Sequence, residues 1–300
     1  MMEKVEVLMS VWNSASNPYW KEQLTSIHAQ EGVDVNLLVR DDGSSDDTVS
    51  VLQQEQEAGR LTWYQGENLG PGRSFMDLLV HAHGADFYAF SDHDDVWLPE
   101  KLRVATEALH EAQGPALYFC QTKLVDAQLR PLAQVPIHPH LTYGEALVYQ
   151  FIGGCTMVMN EALRKIVISY QPQYLHMHDV WIYDIALAIG AKVVFDAEPH
   201  ILYRQHGNNS VGQSRSRRVE WQERWQRIRR KEHIRLRTAE ELLQGFGTRM
   251  IPENRELTER VVRSQQSLTR RLGLIFDQRL RPARPIIGLT SRLAILFKQF

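Results

Sequence analysis

The chain has 300 residues, 43% of them apolar and 23% charged, which suits one large domain or a domain with an appendage. The net charge of -2 hides a division: residues 1–212 carry 13 Lys/Arg against 27 Asp/Glu, and residues 213–300 carry 21 against 9. Such an acidic body argues against tracking along nucleic-acid phosphates, and two distant cysteines, Cys120 and Cys155, argue against a disulfide scaffold and for a reducing cytoplasmic compartment.

The first residues lack the positive and long apolar regions of a signal peptide, and no apolar run reaches the ~18 residues of a membrane span. The longest, Pro285 to Phe297, is interrupted by Arg292. Val5 to Val11 reads as a first strand and Tyr19 to Glu31 as a helix. A second strand, Val35 to Val39, runs into Arg40-Asp41-Asp42-Gly43-Ser44-Ser45-Asp46-Asp47-Thr48, before a helix over Val49 to Ala58. Leu61 to Tyr64 is a third strand, Asn68 to Gly72 a turn, and Arg73 to His83 a helix. Phe87 to Ser91 is a fourth strand, ending in Asp92-His93-Asp94-Asp95, and Pro99 opens a helix to about Glu111. Strands alternating with helices imply βαβ units and a mainly parallel sheet. Ligands of such sheets gather beyond the strand carboxyl ends, where both acidic clusters fall.

The second half is less regular. Ala116 to Val125 reads as a strand, Thr142 caps a short helix through Tyr149, and Gly153-Gly154 precedes the apolar run Cys155 to Met159. A helix over Val180 to Ile189 follows His178-Asp179 and stops at Gly190. Val193 to Phe195 and Ile201 to Tyr203 read as short strands. Beyond residue 212, Ser214 to Leu243 is one helical pattern with Trp and Ile interleaved among arginines, and Glu253 to Ile275 is a second. The first pattern suits a helix on an anionic leaflet, and equally one that packs on the body or on a second subunit.

Five groups of residues carry chemistry. Three carboxylates crowded at a strand end, Asp92, Asp94 and Asp95, point to a hard divalent ion, Mn²⁺ or Mg²⁺, that relieves their repulsion. Asp41 and Asp42 suit a base N–H or ribose hydroxyls, or else an ordinary turn that caps the next helix. Gly70, ahead of the helix bearing Arg73, suits phosphate, or a plain helix start. Asp179, opening a helix beside Trp181, reads as a general base or as an N-cap. In Tyr203-Arg204-Gln205-His206-Gly207-Asn208-Asn209-Ser210, Arg204 can meet phosphate and His206 a metal.

Together VEVLMSVWNS, DDGSSDDT, NLGPGRSF, SDHDDVW, FIGGCTMVMN, HMHDVW and YRQHGNNSVG resemble, in order and spacing over about residues 3–212, the family 2 inverting glycosyltransferases. SDHDDVW, HDVW and YRQHGNNSVG resemble more narrowly the bacterial rhamnosyltransferases of cell-surface polysaccharide assembly. The resemblance implies an α/β GT-A fold: a Rossmann-like mixed sheet of mainly parallel strands over residues 1–212, with a basic amphipathic helical region over 213–300. It implies a sugar moved from a nucleotide donor, dTDP-L-rhamnose in that branch or alternatively a UDP-hexose or UDP-N-acetylhexosamine, to a glycan or lipid-linked glycan acceptor at the inner membrane face. It further implies that Ser10, Val11, Asn13, Asp41 and Asp42 hold base and ribose, with Asp92 near the ribose. Asp94 and His206 would hold the metal, and Asp179 would be the catalytic base. Where many relatives carry Glu-Asp, this chain has His178-Asp179, which leaves His178 either to contact the acceptor, with Trp181, or to tune Asp179. Two rivals are a nucleotidyltransferase, whose Gly-rich basic signature VWNSASNPYW lacks, and a noncatalytic nucleic-acid-binding module.

Overall fold

The computed structural model describes residues 2–149, 151–206 and 233–300. Strand β1 (Glu3–Val11) is the centre from which the fold is built. Val5, Val7, Met9 and Val11 turn to one side and Leu8 to the other, all of them buried, as expected of a strand covered on both faces. It pairs in parallel with β2 (Val33–Asp41) and β4 (Phe87–Ser91), and β2 pairs in parallel with β3 (Thr62–Gln65). Between them run α1 (Trp20–His28), α2 (Thr48–Glu57) and α3 (Pro71–His81). Gly70, at φ +75° where a side chain would be strained, and Pro71 at the first turn set the start of α3.

Next come β5 (Val96–Trp97), α4 (Lys101–His110), β6 (Ala116–Val125), α5 (Tyr143–Ala146), β7 (Val158–Asn160), α6 (Glu161–Val167), α7 (His178–Ala188) and β8 (Lys192–Arg204). A 3-10 turn, Gly154–Thr156, precedes β7. The eight strands form one sheet in the order β3-β2-β1-β4-β7-β6-β8-β5. Four neighbouring pairs are parallel; β7 against β4 and β6, and β5 against β8, are antiparallel.

Four helices close the chain: α8 (Ile234–Phe246), α9 (Pro252–Arg263), α10 (Leu268–Ile275) and α11 (Pro285–Leu296). Their Leu242, Phe246, Leu257 and Val261 join α3, α7 and one sheet face in a single apolar cluster. The second cluster lies on the other sheet face under α1 and α4. Thus the charge boundary at residue 212 is not a gap in the packing.

Several expectations change in detail. The two short strands expected at 193–195 and 201–203 are one strand, because β8 bulges against β6, with extra residues between Asp196 and Pro199 and between Pro199 and Leu202, and so stays paired past Pro199. The helical stretch 253–275 is broken by a 3-10 turn at Ser264–Gln266, after which the Ser267 side chain accepts from the Arg270 N–H at 3.2 Å and restarts the helix. Of the helical pattern 214–243, residues up to 232 lie outside the described ones, and the rest begins α8. Two short elements are additional: β5, too short to show a period, and α6, whose Leu163, Ile166 and Val167 follow helical spacing behind the Asn160 cap. No described helix is long and apolar enough to cross a membrane.

Candidate active site

Because β1, β2 and β4 are parallel, their carboxyl ends share one sheet edge, with Val11 opposite Asp41 and Met9 opposite Ser91. The chain therefore delivers Ser10, Asp41–Asp42 and Asp92–Asp95 to adjacent positions. Beside them opens a cleft of about 490 Å³. Its walls include Asp92, His93 and Asp94 from the β4–β5 loop, Gly153–Thr156 from the 3-10 turn, and His178 and Asp179 from the start of α7. Phe119, Phe151, Val135 and Ile137, with Gln121, Thr122 and Gln134, line the opposite, more apolar end.

Asp179 is 8% exposed and held on two sides. Its Oδ2 accepts from the Gly154 N–H at 3.1 Å and its Oδ1 from the Val180 N–H at 2.7 Å. Gly154 is required there: a Cβ would stand 2.5 Å from His178 Nε2. The His178 ring stacks on Phe75, centroids 4.3 Å apart, and meets the edge of Phe90 at 4.9 Å. Burial lowers its pKa, which keeps the imidazole neutral beside the carboxylate.

In the acidic loop, burial and the nearby charges of Asp94 and Asp179 push the Asp92 carboxyl up to about 7. Burial likewise raises Asp95 well above the carboxylate range, and its Oδ1 accepts from the Arg204 N–H at 3.0 Å. Asp92, Asp95 and Cys155 each offer a ligand atom within 4.8 Å of the others. On the loop's outer side His206 Nε2 lies 2.8 Å from Asp94 Oδ2, and the His206 ring packs on Tyr19 at 5.1 Å. Asp92, Asp94, Asp179, His178 and His206 are thus brought together from three separate stretches of chain.

Other expected residues stand apart from that cleft. Asp41 and Asp42 are buried with internal partners: Asp41 takes Gln65 Nε2 at 2.9 Å and the Ser44 N–H and hydroxyl. Asp42 takes the Leu69 and Gly70 N–H groups at 3.0 and 2.9 Å and the Arg40 guanidinium. Ser10 meets Ser74, Val11 accepts from the Asp42 N–H, and Asn13 accepts from the Ser45 N–H. These contacts tie the loops after β1 and β2 into one shelf along the sheet edge. Asn17 joins this shelf to the acidic loop by donating to the His93 carbonyl at 2.8 Å.

Three placements differ from the expected ones. Trp181 lies inside the core against Phe246, because α7 is buried on every side. Arg73 points away from the cleft and donates to the Gln173 carbonyl at 2.7 Å. The Arg204 guanidinium, 1% exposed, is a buried strut: it donates to the Asp94 and Ala127 carbonyls at 2.8 Å, reaches Glu22 and covers the Tyr19 ring. Gly154, Asn17 and Asp95 act on the site without having been singled out individually; the Gly-Gly pair and the third carboxylate of the loop were their visible signals.

The glycosyl transferase family 2 profile matches residues 6–166. The dTDP-rhamnosyl transferase RfbG of Shigella flexneri is 27% identical over 216 residues, 64% of this chain and 70% of that one. The GalNAc(5)-diNAcBac-PP-undecaprenol beta-1,3-glucosyltransferase of Campylobacter jejuni is 30% identical over 122 residues, 40% of this chain and 38% of that one. Among solved structures, residues 1–349 of S. aureus TarS superpose with a TM-score of 0.59 at 17% identity, covering 99% of this chain and 80% of that one. The chain spans 46% of the longer TarS structure. The mannosyltransferase PcManGT from Pyrobaculum calidifontis, in complex with GDP-Man and Mn2+, gives a TM-score of 0.52 at 16% identity, over 100% of this chain and 86% of that one. The profile spans more than half of the sequence, and the chain therefore belongs to glycosyl transferase family 2, with the GT-A fold of its structural neighbours.

Proposed function

We propose that this chain moves L-rhamnose from dTDP-L-rhamnose to a hydroxyl of a lipid-linked or polysaccharide acceptor, with inversion at the anomeric carbon. The observation that carries the reading is a buried carboxylate, Asp179, held by two backbone N–H groups in the same cleft as Asp92 and Asp94. Support for the sugar comes from the rhamnosyl transferase relative alone. TarS has been solved in complex with UDP-GlcNAc, which makes a UDP-sugar the second reading.

The donor atoms fit a divalent cation. Asp94 and His206 offer oxygen and imidazole nitrogen at 2.8 Å from each other, and the burial that raises Asp92, together with the repulsion from Asp94 and Asp179, is what a cation would offset. Asp94 and His206 would hold it, and when bound it neutralises charge on the leaving diphosphate. The chain's own residues do the rest. Asp179 accepts the acceptor-hydroxyl proton on a carboxylate oxygen as the acceptor oxygen bonds to the anomeric carbon and the bond from that carbon to the nucleotide diphosphate breaks, the diphosphate leaving with the electron pair. The neutral His178 adds no positive charge that would bind this carboxylate and blunt its basicity. The shelf of Ser10, Val11, Asn13, Asp41 and Asp42 flanks base and ribose, and the end lined by Phe119 and Phe151 takes the acceptor.

The test pairs turnover with binding. Asp179→Asn should lose about 10²–10⁴-fold in turnover while donor affinity stays unchanged, because a general base acts only in the transition state. Parallel loss of donor binding would make Asp179 a binding residue. A thermal-shift panel of nucleotide sugars with Mn²⁺ names the donor, and a shift with UDP-sugars but not dTDP-L-rhamnose replaces the first reading with the second.

A further inference from the structure

Seven of the twelve large apolar side chains exposed among the described residues lie within the last 33 positions. In α10 and just beyond, Leu268, Leu272 and Phe276, 53, 41 and 77% exposed, recur every four residues along one side. In α11 and just beyond, Ile286, Leu289, Leu293 and Phe297, between 46 and 72% exposed, follow the same helical spacing. The opposite sides hold Leu274 and Ile295, both buried. Arg271 donates to the Leu296 carbonyl at 2.8 Å and fastens the two helices together.

Charge decides what such faces suit. Residues 268–300 hold seven Lys/Arg and a single acid, Asp277. That acid is already engaged by Arg260 and Arg279, while Arg270, Arg281, Arg292 and Lys298 are exposed. A second copy of this surface would set one basic rim against another, which association opposes. An anionic lipid surface answers both features, since it takes apolar side chains at the acyl boundary and basic ones among its headgroups. At 12 residues α11 is about 18 Å long, short of the ~30 Å hydrocarbon core, so it lies along the surface.

We propose that the outer faces of α10 and α11 seat this chain on an anionic bilayer. Seating on a bilayer through these faces does not depend on which sugar donor the cleft takes. The experiment is co-sedimentation of the full chain with vesicles of phosphatidylcholine alone and of phosphatidylcholine mixed with phosphatidylglycerol. Binding is expected only to the mixed vesicles and should weaken with salt. The variant Leu272→Ser/Phe276→Ser/Leu289→Ser/Phe297→Ser should stay in the supernatant, and Arg270→Gln/Arg292→Gln should bind about thirtyfold more weakly. Unchanged melting temperatures and donor-induced shifts would show that both variants remain folded. Failure of the parent chain to bind mixed vesicles, or equal binding by the serine variant, overturns the proposal. So does a parent dimer, seen by light scattering, that the serine variant splits. Vesicle binding without any nucleotide-sugar shift would leave this surface standing and remove the transferase reading.

Discussion

Arg40 is 2% exposed, yet its guanidinium joins Asp42, Asp77 at 2.8 Å and the Glu67 carbonyl at 3.0 Å. Removing it would leave the Asp42 carboxylate buried without its cation, so Arg40→Met should cost about 3 kcal/mol or more in denaturant unfolding. A loss below about 1 kcal/mol would mean that the backbone N–H groups of Leu69 and Gly70 suffice. Gly154 is a second point of leverage. In Gly154→Ala the new methyl would displace the His178 ring and with it Asp179, so kcat should fall on the order of 10²-fold with donor affinity kept. Unaltered kinetics would show that Asp179 does not depend on this contact. The Asp41-Asp42 cluster was legible in the sequence as a cluster, but not its engagement. Arg40, near the end of β2, and Asp42, just past it, are two residues apart, the spacing at which an extended chain turns side chains to one side. Asp77, which completes the group, comes from a helix whose packing only the fold determines.

At the scale of elements, α7 explains both what sequence periodicity can reach and what it cannot. Its eleven residues are all buried, between the sheet and α8. A helix without a polar side gives no sign of which residues face a cleft, which is why Trp181 reads equally well as cover for the acceptor and as core. Asp184 is the exception in this apolar surround. Burial pushes its carboxyl up to about 7, with Asp179 adding to the rise and Arg235 opposing it. The sign follows: the fold binds this proton more tightly than the unfolded chain does, so Asp184 costs stability increasingly as pH rises from about 4 through 7. Asp184→Asn should therefore raise the melting temperature more at pH 8 than at pH 5. An equal shift at both pH values, or a loss only at pH 8, would mean that Asp184 is charged and compensated by Arg235. Apart from the two-residue β5, strand and helix order through residue 125 was visible because turns and caps punctuate it. The merged β8 was not, because its own bulges around Pro199 are held in line only by pairing with β6.

For the whole molecule, the contrast between acidic and basic halves was plain in the sequence, while their shared core was not. Phe246 meets Trp181 across what composition alone marks as two regions. The same is true of the site: strand ends far apart in sequence share one sheet edge only because β1 pairs with both β2 and β4. On the proposed function, this convergence builds one site in which Asp94 and His206 serve a cation and the donor diphosphate together. Calorimetric titration of dTDP into the parent chain and Asp94→Asn, each with and without Mn²⁺, tests it most directly. The parent should bind dTDP at least about tenfold more tightly with Mn²⁺, and Asp94→Asn should lose this gain. Equal metal-dependent binding by both proteins would contradict it.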